Sequence, residues 1–150
     1  MNELAMQKLV VDAIKDDGGF AMKLSNRFMV GVVDLLVKPK NRTSSAVLEV
    51  KQRPLPSDPS REFVLEVTTP QKKFLGAAAE HTFNSGVVSF VYCKGKRNNR
   101  LGVFMSSYES IAGVGWKLCA RQHIMLGPLA FEKRELLMHL DQLWEVNGWL

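Results

Sequence analysis

The sequence predicts one α/β domain in which helices flank a mixed β-sheet. Three observations predict it. The spacing of apolar residues switches along the chain between the period of a helix and the alternation of a strand. The elements read from that spacing over residues 1–93 follow the order α-β-β-β-α-β, which packs helices on a sheet. The composition, 46% hydrophobic and 23% charged over 150 residues, allows a core of ordinary size.

Asn2 is placed to cap a helix over residues 3–16, with Glu3 in its first turn and Gly18–Gly19 as the stop. Leu4, Met6, Leu9, Val10, Ala13 and Ile14 give its apolar stripe. The segment FAMKL (20–24) is short and β-like. FMVGVVDLLV (28–37) is the strongest strand signal and AVLEVKQ (46–52) the next. The turn chemistry of KPKNRTSS joins them as an antiparallel hairpin. Three prolines make RPLPSDPSR (53–61) a loop. A second helix opens at TTPQ, with Thr69 as N-cap and Pro70 in the first helical position, and closes at Asn84–Gly86. VVSFVYC (87–93) and RLGVFM (100–105) read as a hairpin with a basic tip. SSYESIAGVG reads as a short helix, and WKLCARQHIMLGPLAF is ambiguous. Residues 132–149 form a last helix, with Leu136, Leu137, Leu140, Leu143 and Trp144 on one face.

Several function classes fall away. No apolar run approaches the ~18 residues that a membrane span needs. The first residues lack a basic n-region and a small-residue cleavage site, so no secretory signal is read. Cys93 and Cys119 are too few for a disulfide scaffold, and a reducing, cytoplasmic setting is expected. His81, His123 and His139 have no zinc-ligand spacing. The formal charge of +5 favours a polyanionic partner. Basic residues gather in KPKNR (38–42), KQR (51–53), QKK (71–73) and CKGKRNNR (93–100).

Three charges break the apolar pattern of the two strongest strands. Alternation puts Glu49 and Lys51 on one face of their strand, and Asp34 on a face with Val32 and Leu36. If the strands pair in the right register, two carboxylates and an ammonium converge. A register slipped by one residue turns Asp34 to the wrong face. Hard divalent cations take oxygen ligands, and Mg²⁺ is commonly held by one or two carboxylates with water and substrate phosphate. Such an ion neutralises phosphodiester charge and acidifies a bound water. A lysine beside it can orient that water or stabilise the developing charge. The bland alternatives are a satisfied strand-end Asp34 and an exposed Glu49–Lys51 pair. Glu3 has one too, since acidic residues suit the first turn of a helix. Gln71 has another, a capping box with Thr68.

The segment GVVDLLV…AVLEVKQ, within the element order of residues 1–93, resembles the PD-(D/E)xK nuclease superfamily, in particular its VRR-NUC and Holliday-junction-resolvase branch. The resemblance implies a restriction-endonuclease-like αβββαβ core (1–93) with a C-terminal strand and helix extension (94–150), all in one domain. It implies Asp34 and Glu49 as metal ligands, Glu3 as an auxiliary ligand, Lys51 as the catalytic lysine and Gln71 as an accessory site residue. Val33 stands where the branch usually has proline. The implied activity is Mg²⁺- or Mn²⁺-dependent internal cleavage of DNA, with selectivity for branched structures and a small phage- or mobile-element-like setting.

Lys23, Lys38, Lys40, Arg42, Arg53, Lys72, Lys73, Lys94, Lys96 and Arg97 are the candidates for gripping DNA phosphates, without strong sequence preference. Cutting a junction needs two sites, so a homodimer is expected, with the leucine stripe of the last helix as one candidate interface. The rival readings are a non-catalytic nucleic-acid-binding protein and a protein-binding assembly factor.

Overall fold

The computed structural model describes residues 2–24, 30–54, 58, 60–94, 99–119, 125–126 and 133–150, with backbone alone for 93, 94, 99–101, 125 and 126. Helix α1 (Glu3–Asp16) begins where predicted, because the Asn2 side chain accepts the Ala5 N–H at 2.9 Å. Strands β1 (Phe20–Lys23), β2 (Leu35–Lys38) and β3 (Ala46–Pro54) form an antiparallel meander. The short β4 (Glu62–Val64) follows, then α2 (Thr69–Glu80). The chain returns as β5 (Asn84–Lys94), parallel to β3, and turns into β6 (Asn99–Ser107), antiparallel to β5. The remainder is α3 (Tyr108–Gly113), β7 (Lys117–Cys119), β8 (Met125–Leu126) and α4 (Lys133–Val146). The main sheet runs β1-β2-β3-β5-β6-β8, and β4 pairs with β7 in a second small sheet. With the short β4 set apart in the second sheet, the elements of the main sheet and the helices through β5 keep the expected order α-β-β-β-α-β.

The central strands divide their side chains between two cores. Leu48, Val50, Val88 and Phe90 face one way, against Met6, Val10 and Ile14 of α1 and Leu136, Leu140 and Trp144 of α4. Val47, Val87, Val91 and Phe104 face the other way, against Leu75 of α2, Ile111 of α3 and Phe63 and Leu65. Glu49 and Lys51 therefore belong to the α2 side.

Several expectations are corrected. The strand expected over 28–37 begins only at Leu35; residues 28–29 lie outside the described ones, and 30–34 are not strand. Gly31, at φ +85°, bends the apolar run, and a Cβ there would lie 2.7 Å from the Cβ of Pro70. Only glycine lets this loop close on the start of α2. Gly31→Ala is expected to cost more than about 1 kcal/mol of stability, read by thermal melting, since it adds strain and a clash together. The N-cap of α2 is Thr68 rather than Thr69, and the helix stops at His81, with Thr82 at φ +66°. Asn84–Gly86 accordingly opens β5. Leu4 lies outside the apolar stripe of α1 and is exposed, whereas Gln7 is buried.

The leucine stripe of α4 is not a free interface. Leu136, Leu140 and Trp144 are buried within the chain against α1 and the sheet. Trp149 meets Trp144 edge-on, with ring centroids 5.1 Å apart. Residues of the extension, Val103 and Met105 as well as those of α4, thus complete the core of residues 1–93. No helix among the described residues is long and apolar enough to cross a membrane.

Candidate active site

The site grows from the β2–β3 register. Leu35 pairs with Leu48 and Leu36 with Val47, so one step further Asp34 falls opposite Glu49. Asp34 stands just outside β2, and its carboxylate does part of the strand's work. Its Oδ2 accepts the Val50 N–H at 2.8 Å, while its backbone carbonyl accepts the Leu24 N–H. Asp34 thus ties the end of β1 to the middle of β3 and is itself held in one place.

Glu49 is only 2% exposed, on a strand paired on both sides. The Asp34 and Glu49 carboxyls are within hydrogen-bonding reach of one another. The Glu49 Oε1 accepts from Gln71 Nε2 at 2.9 Å and faces Lys51 Nζ at 3.4 Å. Its Oε2 is buried and has no donor among the described residues. Burial, and after it the Asp34 charge, raise the Glu49 pKa against the opposing pull of Lys51, to about 8 in all. An acid so placed is short of positive charge.

Gln71 both caps α2 and reaches Glu49. Its Oε1 accepts the Thr68 N–H at 3.0 Å and its own N–H donates to Thr68 Oγ1 at 3.3 Å, which is a capping box. The Nε2 left over reaches Glu49. The first turn of α2 therefore positions the glutamate.

Glu3 does not join these residues. The N-terminal half of α1 packs on the opposite face of the sheet, and no group of three His, Cys, Asp or Glu suited to a metal occurs among the described residues. The buried polar group of this part of α1 is Gln7, whose Oε1 has no partner among the described residues. The only signal for it in the sequence is its place between Met6 and Val10 in the apolar stripe.

The basic candidates separate. The 38–42 cluster sits at the far end of β2, about 13 Å along the strand from Asp34. Lys38 is half-buried there and Lys40 exposed. Arg42 is engaged, since its guanidinium holds Asp141 at 2.8 Å and Glu145 at 3.3 Å on α4. It anchors the last helix, and its assignment to phosphate is withdrawn. Lys23 is exposed on β1 and pairs with Leu35, which turns its side chain to the α1 face of the sheet, away from the Asp34–Glu49 face. Arg53 lies on the Glu49–Lys51 face of β3, pairs with Glu66 at 3.1 Å and stands over the Phe63 ring. Lys72 follows Gln71 and lies 5.0 Å from the centre of the Trp116 ring, and Lys73 is exposed. Lys96, Arg97 and the side chain of Lys94 lie outside the described residues.

The residues fit a hard divalent cation. Two adjoining carboxyls, one buried oxygen without a donor and an acid with raised pKa are what such an ion would relieve. Asp34 and Glu49 are the carboxylates brought together here among the described residues, so water and substrate would supply much of the rest of the shell.

Comparison with known proteins finds no matching protein family and no matching curated protein. Among solved structures, the chain is similar to a Holliday junction resolvase from the archaeal hyperthermophile Archaeoglobus fulgidus. The identity is 9% and the TM-score 0.48, over 79% of this chain and 90% of that one.

Proposed function

We propose that this chain is a divalent-cation-dependent nuclease that hydrolyses DNA phosphodiester bonds. The convergence of Asp34, Glu49, Lys51 and Gln71 on one face of the sheet carries the reading. Asp34 and Glu49 would hold Mg²⁺ or Mn²⁺, which supplies charge neutralisation and an acidified water. Asp34 is preset by the Val50 N–H. Gln71 fixes the Glu49 Oε1 and leaves Oε2 for the ion. Lys51, with its side chain 13% exposed, brings an ammonium to the same place, where it orients the attacking water or stabilises charge on the phosphate. Arg53, Lys72 and Lys73 are the described cations best placed to hold backbone phosphates on this side. Internal cleavage, preference for branched junctions and action as a homodimer are the finer parts of the proposal.

The test is cleavage of supercoiled, single-stranded and four-way-junction DNA with Mg²⁺, Mn²⁺ or EDTA. Cutting is expected only with the cation, and Lys51→Ala is expected to lower it by about 10²–10³-fold. Cutting that survives EDTA, or that Lys51→Ala leaves intact, rejects the site. DNA binding without any cutting would make the chain a nuclease-like binding module instead.

A further inference from the structure

Five buried side-chain polar atoms lack a hydrogen-bond partner among the described residues. Three of them, Glu49 Oε2, Ser89 Oγ and Arg53 Nε, belong to one face of the paired strands β3 and β5. The Glu49 oxygen belongs to the site already described, and Arg53 is tied to Glu66 through its Nη1. Ser89 has no such explanation.

Ser89 is 1% exposed, in the middle of the apolar run GVVSFVY. Its neighbours on the same face of β5, Val87 and Val91, are buried and apolar. A small apolar residue would fill this place without stranding a hydroxyl, which is costly when unpaired. Its register partner on β3 is Lys51. Parallel neighbours stand about 4.8 Å apart with side chains on the same side. The Lys51 ammonium carries three N–H groups, and its ion-pair partner is Glu49 Oε1, at a long 3.4 Å and already shared with Gln71. A donor short of acceptors thus stands next to a hydroxyl with none of its capacity used.

We propose that Ser89 is a positioning residue for Lys51. When Glu49 is engaged by a cation, its hold on the ammonium weakens, and the Ser89 hydroxyl accepts a hydrogen bond from Nζ. The ammonium then stays over the carboxyl pair instead of swinging toward solvent on its flexible stem. This inference rests on the nuclease reading and adds the means by which its lysine is held.

Ser89→Ala, Ser89→Thr, Lys51→Ala and the Ser89→Ala/Lys51→Ala double variant test it, in the full chain. Ser89→Ala is expected to melt at or above the wild-type temperature, because it removes a stranded hydroxyl. Its kcat for DNA cleavage with Mg²⁺ is expected to fall about tenfold, with KM within about twofold, as for one lost charge-assisted hydrogen bond. Ser89→Thr restores most of the rate. In the Lys51→Ala background, Ser89→Ala has no further effect. A fully active Ser89→Ala, or an undiminished loss in the Lys51→Ala background, overturns the inference and leaves the nuclease reading in place.

A second readout needs no turnover. The rate at which Lys51 reacts with an amine-directed reagent, followed by peptide mass, is compared with Mg²⁺ present. Ser89→Ala is expected to speed it several-fold, and equal rates in the two proteins reject the contact. A wild type that cuts no DNA defeats the nuclease reading, while the labelling still decides whether Ser89 holds Lys51.

Discussion

Asp34→Asn is expected to fold as well as the wild type and to lose metal-dependent cleavage by at least about 10³-fold. Asp34→Ala is expected to lose cleavage equally and stability as well. The contrast follows from the two tasks of this carboxylate. One oxygen accepts the buried Val50 N–H at 2.8 Å, which is a structural task that any suitably placed oxygen performs. An asparagine keeps that acceptor. An alanine strands a backbone N–H in a buried strand, a loss of about 1–3 kcal/mol. The second task is charge. Asp34 and Glu49 are the two carboxyls at the site, so neutralising one halves the negative charge available to a divalent ion. The amide also relieves the repulsion that helps hold the Glu49 pKa high, so the variant can be more stable while inactive. Thermal melting and a junction-cleavage assay on the three proteins separate the tasks. An Asp34→Asn protein that still cuts at a tenth of the wild-type rate would remove Asp34 from the reaction.

Much of this arrangement was legible in the sequence, because it depends on local rules. The Asn2 cap, the bounds of α1 and the β2–β3 hairpin all follow from residue spacing and turn chemistry. Alternation alone placed Glu49 and Lys51 together. The register, on which Asp34 depended, had two possible outcomes, and the observed pairing of Leu35 with Leu48 is the productive one. What the sequence concealed is tertiary. The run FMVGVV looks like strand because all its residues are apolar but one, yet the close approach of Gly31 to Pro70 sets the path of residues 30–33. The KPKNR cluster looks like a solvated basic turn because the partners of Arg42 lie about a hundred positions away on α4. The leucine stripe of α4 signals burial without saying against what, and the answer is α1 rather than a second copy. Gln71 raised a choice between cap and site that was not exclusive, since one amide has two ends. Ser89 and Gln7 are single polar letters in apolar runs, and only their burial without partners distinguishes them.

The cation-free protein is expected to lose stability as the pH rises from about 4.5 to about 8, and Glu49→Gln is expected to abolish most of that loss. The Glu49 carboxyl has a pKa near 4.5 in an unfolded chain and about 8 when folded without an ion. Between those values the folded state keeps a proton that the unfolded state has released. Stability then falls with rising pH, because the native state is the one that binds more protons. The contribution is fully present below about 4.5 and is lost as the pH passes the folded value, on the order of a few kcal/mol in all. Glutamine has the same shape and can still accept from Gln71 Nε2, but it does not titrate. Its melting temperature should therefore be nearly flat over this range and should exceed that of the wild type at pH 9 in EDTA. Added Mg²⁺ reverses the order at high pH. Ionised Glu49 is the form that would hold the proposed ion, so the wild type is expected to gain stability in proportion to occupancy while Glu49→Gln gains little. Melts at pH 5, 7 and 9, each with EDTA or Mg²⁺, contain the whole prediction. Parallel pH curves for the two proteins in EDTA would mean that burial beside Asp34 does not hold the proton on Glu49. A Mg²⁺ effect equal in both would mean that the ion binds elsewhere.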